Sequence, residues 1–145
     1  MKTAILLIGL IALELPISAE PSQAEKKPPV VKPEVNHYET VRAAPDFSIG
    51  PGGAAGVRSL AEISLRKLLK TPTAAADCRK LVIEGTPAGQ LYGLLGLKLL
   101  NDPSYPSVVV PFRNSQVKVT VVDGCNAIDY TTSAVVRSLD KGRIK

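Results

Sequence analysis

Histidine is nearly absent from this chain. His37 stands alone, cysteine occurs twice, as Cys78 and Cys125, and tryptophan not at all. One imidazole and two thiols do not complete a four-ligand zinc set, so no metal is expected. A catalytic thiol would lack its imidazole, because His37 falls in a proline-dense stretch away from both cysteines. A Ser-His-Asp set would have to recruit the same His37, and the chain contains no Gly-x-Ser-x-Gly elbow. Aromatic residues make up only 4% of the sequence, and its 18 basic residues are dispersed among 13 acidic ones. The resulting charge of +5 aids solubility and allows weak attraction to anionic surfaces, but does not argue for nucleic acid. No apolar run approaches the roughly 20 residues that a membrane-spanning helix needs.

What is present begins with an export pattern. Lys2 precedes the apolar run Ala4 to Leu13, Pro16 breaks it, and small residues at Ala19 or Ala24 offer cleavage points. We therefore expect a signal peptide over residues 1–19 (alternative end at 24) and a periplasmic or secreted product. No cysteine stands near the cleavage points to accept a lipid. Residues 20–45, with Pro21, Pro28, Pro29, Pro33 and Pro45, read as a disordered Pro-rich linker. Residues 46–145 are then the folded domain, of a size that suits a single core. In an exported protein a lone pair of cysteines suggests a disulfide. A Cys78–Cys125 bridge would close a loop of about 47 residues and contribute roughly 4 kcal/mol in the chain-entropy picture.

Helix starts are written clearly in this domain. Ser59-Leu-Ala-Glu62 is a capping box, and Ala61, Leu65, Leu68 and Leu69 follow it on one face. Thr71-Pro72 and Thr86-Pro87 each place a capping Thr before a Pro at the first helical position, where the missing amide costs nothing. The spacing predicts a second helix over about 72–84, stopped at a left-handed Gly85, and a third over about 87–101. The third helix carries Gly89, Gly93 and Gly96 at i, i+4 and i+7, a single smooth stripe amid Leu91, Leu94, Leu95, Leu97, Leu99 and Leu100. Each glycine weakens a helix by about 1 kcal/mol relative to Ala. Such a stripe is expected where a neighbouring backbone packs close. The basic run Arg66 to Lys70 complements the first helix's C-terminal dipole, and Tyr92 is expected in the core with its hydroxyl at an edge.

Beyond Asp102 the pattern changes. Val117, Val119 and Val121 alternate with Lys118 and Thr120, predicting a half-buried strand, and Asp123-Gly124 marks a turn. Residues 131–141 suit a short helix capped by Thr131 or Thr132 and ended by Gly142, although their Thr and Val content also suits a strand.

Two motifs invite chemistry. Gly50, Gly52 and Ala55 fit a loose dinucleotide fingerprint, but helix after helix follows where a second parallel strand is required. A flexible lead-in to the first helix accounts for the loop, and no cofactor is expected. Asp123 and Asp129 are the acids nearest in sequence that could form an acid–base pair, against the ordinary reading of turn and solvated residues. No catalytic or cofactor-binding residue is assigned.

"FSIGPGGAAG", then "TPAGQLYGLLGLKLL", then "GC" resembles a group of uncharacterised bacterial exported proteins. These share a Gly-rich lead, a Thr-Pro-Ala-Gly-x-Leu-Tyr-x-Leu-x-Gly-Leu helix and a downstream Gly-Cys. The likeness spans about residues 47–125. It implies a bacterial envelope or secreted setting and assigns no site residues.

The expected architecture is mainly α (α+β): a small bundle of short helices with a C-terminal strand or hairpin, stapled by the disulfide. The expected function is that of a non-enzymatic binding or structural module of the bacterial cell envelope, with a protein or envelope partner. The alternatives are a cell-wall hydrolase built on a carboxylate pair and a basic inhibitor or effector of an anionic target.

Overall fold

The computed structural model of the chain describes residues 35–52 and 56–144. The export segment and residues 20–34 of the expected linker lie outside the described residues. The order of elements is α1 (His37–Arg42), β1 (Phe47–Ser48), α2 (Leu60–Leu68), α3 (Ala74–Glu84), α4 (Pro87–Leu99), α5 (Tyr105–Val108), a 3-10 turn (Val110–Asn114), β2 (Lys118–Asp123), β3 (Asn126–Thr131) and α6 (Thr132–Asp140). The fold is α+β, helices around a three-stranded sheet ordered β1-β2-β3, with β1 parallel and β3 antiparallel to β2.

The central helix is α4. Thr86 caps it by accepting the Gly89 amide at 3.1 Å, with Pro87 in the first turn. A cap of this kind contributes about 1 kcal/mol. Leu91, Leu94, Leu95 and Leu97 are all buried, so α4 contacts its neighbours on nearly every side. Its end is a Schellman turn: the Asn101 amide bonds the Lys98 carbonyl and the Asp102 amide bonds the Leu97 carbonyl.

The glycine stripe faces two neighbouring helices, α1 and α3. A Cβ at Gly89 would lie 2.7 Å from the Arg42 carbonyl oxygen of α1, and one at Gly93 would lie 2.8 Å from the Cys78 carbonyl oxygen and 2.9 Å from the Val82 amide nitrogen of α3. At Gly96 the Cβ would meet the Cys78 sulfur at 2.4 Å. Backbone cannot give way as a flexible side chain does, so α1 and α3 approach α4 more closely than any larger residue would allow.

Four expectations change. First, the Cys78–Cys125 disulfide is not formed: both thiols are free. Cys78 is buried in the seam between α3 and α4, where its sulfur fills the space over Gly96, whereas Cys125 is exposed at the hairpin turn. The hairpin is held instead by strand pairing and by α6 packed on the core. Second, residues 37–42 of the expected disordered linker form α1. Asn36 caps it through the Glu39 amide at 3.2 Å, and Val41 is fully buried. Val41, Ala44 and Phe47 give this stretch enough apolar surface to order it despite the prolines around it. Third, α3 begins at Ala74 rather than at Pro72. The Thr71 hydroxyl donates to the Leu68 carbonyl at 2.8 Å, so this Thr-Pro closes α2 instead of opening α3. Fourth, Gly85 has extended backbone, φ −74° and ψ 159°. Its glycine answers crowding: a Cβ would lie 2.6 Å from the Leu81 carbonyl oxygen.

Candidate functional site

The hairpin follows from a two-residue loop. Gly124 holds φ +58° between Asp123 and Asn126, a conformation open to glycine at little cost. In β2 and β3 successive side chains alternate between faces. Cross-strand register then places Val119, Val121, Ile128 and Tyr130 on one face and Thr120, Val122, Ala127 and Asp129 on the other. Phe47 joins the first row beside Val121. This apolar face turns toward α4 and α6.

Between it and α6 runs a groove of about 710 Å³, within the range of small-ligand sites. Its floor is Phe47, Ile49, Val121, Ile128 and Tyr130, and its wall is Ala134, Val135 and Ser138 of α6. The floor is closed at one end, where Phe47 and Val135 are buried, and open at β3, where Ile128 and Tyr130 are 49% and 43% exposed. Asp123 and Asn126 stand at the hairpin end, and Arg143 and Ile144 at the helix end. These last two reach the groove because Gly142, at φ +66°, reverses the chain after α6. The Gly142 amide bonds the Leu139 carbonyl and the Arg143 amide bonds the Ser138 carbonyl.

Behind the groove lies a buried polar network. The Tyr92 hydroxyl donates to the Ser48 carbonyl and accepts from the Ser48 amide, each at 2.9 Å, and lies 3.3 Å from the Ser59 hydroxyl. Tyr92 is therefore fully inside the core, with its hydroxyl used to anchor β1 rather than placed at an edge as expected. Its ring lies 4.8 Å from that of Phe47. Burial raises the Tyr92 hydroxyl's pKa, partly offset by its Ser59 and Ser48 hydrogen bonds. Ser59 makes one half of the expected capping box, accepting the Glu62 amide at 3.1 Å, whereas the Glu62 carboxylate is directed away from the Ser59 amide. The Glu62 carboxylate, itself buried, accepts the Gly50 amide at 2.8 Å and pairs with Arg66 at 2.7 Å. β1 does run parallel to β2, a pairing the sequence reading lacked, so a strand does precede the Gly-rich loop. Yet the Gly50 amide of that loop is already satisfied by the chain's own carboxylate, which disfavours a phosphate at that point.

The two acids singled out as a pair do not converge. Asp123 shares the groove face with Asn126, whereas Asp129 lies on the opposite face and accepts the Thr120 hydroxyl at 2.8 Å. His37 is likewise apart from both cysteines in its contacts: its Nδ1 lies 3.2 Å from the Ser64 hydroxyl, between α1 and α2. The Cys78 thiol is pushed up to about 12 by burial, with the Asp77 and Asp102 carboxylates adding to the effect. It stays protonated near neutrality and is a poor nucleophile. Among the described residues no group of three or more His, Cys, Asp or Glu side chains is placed to hold a metal ion, and no helix is long and apolar enough to cross a membrane.

Sequence reasoning missed the groove because its floor is assembled from β1, β2 and β3. The alternation of Val119 and Val121 signalled one apolar face. Ile128 and Tyr130 continue that alternation in β3 and could have signalled the rest. Comparison of the chain with protein-family models, curated proteins and solved structures gives no match.

Proposed function

We propose that this chain is an exported, non-enzymatic binding module of a bacterial envelope that works by holding a protein partner. The observation that carries the proposal is the groove, whose apolar floor opens at the exposed face of β3. The export pattern at the N-terminus gives the setting. A hydrolase built on Asp123 and Asp129 is less well supported, because acid–base work requires both carboxyl groups to face one substrate.

A photo-crosslinking amino acid placed at Tyr130, in the open end of the groove, tests this. Irradiation of envelope preparations is expected to yield a discrete adduct with a protein. The same group at Ile83, which is exposed on α3 away from the groove lining, is expected to yield none. Equal or absent adducts from the two positions would remove the proposal.

A further inference from the structure

We infer that β3 accepts an extended, acidic peptide segment of a protein partner as a fourth strand of the sheet, with alternate apolar side chains of that segment entering the groove. The inference rests on the binding-module reading above and specifies its partner and mode.

The register identifies the unused backbone groups. The Thr132 amide bonds the Val117 carbonyl at 2.8 Å. Hydrogen-bonded pairs recur every second residue in an antiparallel ladder. Val119–Tyr130, Val121–Ile128 and Asp123–Asn126 are therefore the bonded pairs, the last closing the two-residue loop. The amides and carbonyls of Ala127 and Asp129 point the other way, off the sheet. With the order β1-β2-β3, no strand among the described residues pairs with that side. An unpaired strand edge is a template for strand addition.

The groove lies beside this edge and shares its residues. Ile128 and Tyr130 belong to β3 and form the open end of the floor. In an added strand every second side chain would lie on their face and next to them. A free fatty acid could fill the same volume, but it would leave the strand edge unused. A peptide uses both features.

Charge selects the kind of peptide. Arg143 lines the helix end of the groove, and Lys141 is exposed just before the Gly142 reversal. Asp140, the acid adjacent to them in sequence, is engaged by the Tyr105 hydroxyl at 2.9 Å and by Arg113 at 3.2 Å. No carboxylate among the described residues pairs with Arg143 or Lys141. An acidic residue on the incoming strand supplies that partner. A second copy of this chain fits less well: two β3 edges laid side by side would bring both Asp129 residues and both basic ends into one sheet.

The test uses the full chain, immobilised and panned with a phage-displayed library of random twelve-residue peptides. The enriched sequences are expected to be acidic, to alternate apolar with polar residues and to lack proline in the alternating core. A synthetic copy of the strongest is expected to protect the Ala127 and Asp129 amides from hydrogen exchange. Ala127→Pro, which deletes an outward amide and leaves the inner ladder intact, should weaken binding by at least about tenfold, as should Arg143→Glu or high salt. From the ligand side, N-methylating alternate peptide amides should abolish binding in one register and spare it in the other. Absence of enrichment, basic or helix-periodic sequences, dimerisation through β3, or affinity indifferent to both Ala127→Pro and N-methylation would each overturn strand addition. If the Tyr130 crosslink to an envelope protein persists in Ala127→Pro, strand addition fails while the binding-module reading stands. If the crosslink is missing from the unmodified edge as well, that reading fails too.

Discussion

Gly96→Ala tests the packing on which the helical core depends. The added methyl would lie 2.4 Å from the Cys78 sulfur and 3.4 Å from both Leu65 Cδ1 and Leu69 Cδ2. Ordinary contact begins near 3.4 Å, so the sulfur must withdraw by about 1 Å, the difference between 3.4 and 2.4 Å. It has little room, because Cys78 is fully buried. Overpacking of this kind costs about 1–3 kcal/mol, against about 1 kcal/mol gained from the better helix former. The expected net loss is about 1 kcal/mol, or about 4–8 °C in Tm for a domain near this size. Cys78→Ala alone should cost about 1–2 kcal/mol by emptying the seam. In the double variant the new methyl occupies the space left by the sulfur. It should therefore be at least as stable as Cys78→Ala, giving a favourable coupling of at least about 1 kcal/mol, the whole cost of Gly96→Ala alone. Urea unfolding followed by far-ultraviolet circular dichroism measures all four corners of the cycle. Additive effects, or a Gly96→Ala chain more stable than its parent by the whole helix-propensity gain, would refute the reasoning.

Further expectations concern the thiols, the buried hydroxyl and the acid limb of stability. Native chain treated with a thiol reagent near neutral pH should release one equivalent promptly, from exposed Cys125, and the second only on unfolding; finding neither reactive would restore the disulfide. The Cys78 thiol's pKa is raised from 9.0 to about 12 in the fold, so its contribution to stability is complete below pH 9 and is lost as pH climbs toward 12. Tyr92→Phe strips the partner from the Ser48 amide and carbonyl. A loss of about 1–3 kcal/mol in urea unfolding is expected, and a neutral result would mean that β1 does not depend on this anchor. The Asp102 carboxyl is held below its ordinary 3.8 by the Ser104 hydroxyl and amide, with Arg79 assisting. Its stabilisation is present above that value and lost as pH falls through the lower one, so Asp102→Asn should flatten the acid end of a stability–pH profile. An unchanged acid limb would show that Asp102 is not among the groups that set it.

Much of the helical framework could be read from short-range chemistry. Ser59 and Glu62, Thr86 and Pro87, and Thr131 act within one helical turn, so their caps are visible as neighbours in the sequence. The leucines of α4 announced a central helix for the same reason. The site was less legible. Val119 and Val121 pointed to an apolar sheet face, but β1 is only two residues long and carries no period of its own. It is a strand because Tyr92, 44 residues away, holds both backbone groups of Ser48 and because Val121 and Val122 lie alongside.

The cysteines mark the boundary between the two kinds of information. Sequence alone determined the caps at Ser59 and Thr86, the loop at Gly124, the hydrophobic periods and the spacing of Gly89, Gly93 and Gly96, because each depends on residues within a few positions of one another. Only the tertiary structure decided that Cys78 is buried against Gly96 while Cys125 stands at a hairpin tip, that Asp123 and Asp129 turn to opposite faces, and that three strands and α6 enclose a groove. Those outcomes depend on which helix faces meet and on strand register, and both are set by contacts between residues far apart in the chain.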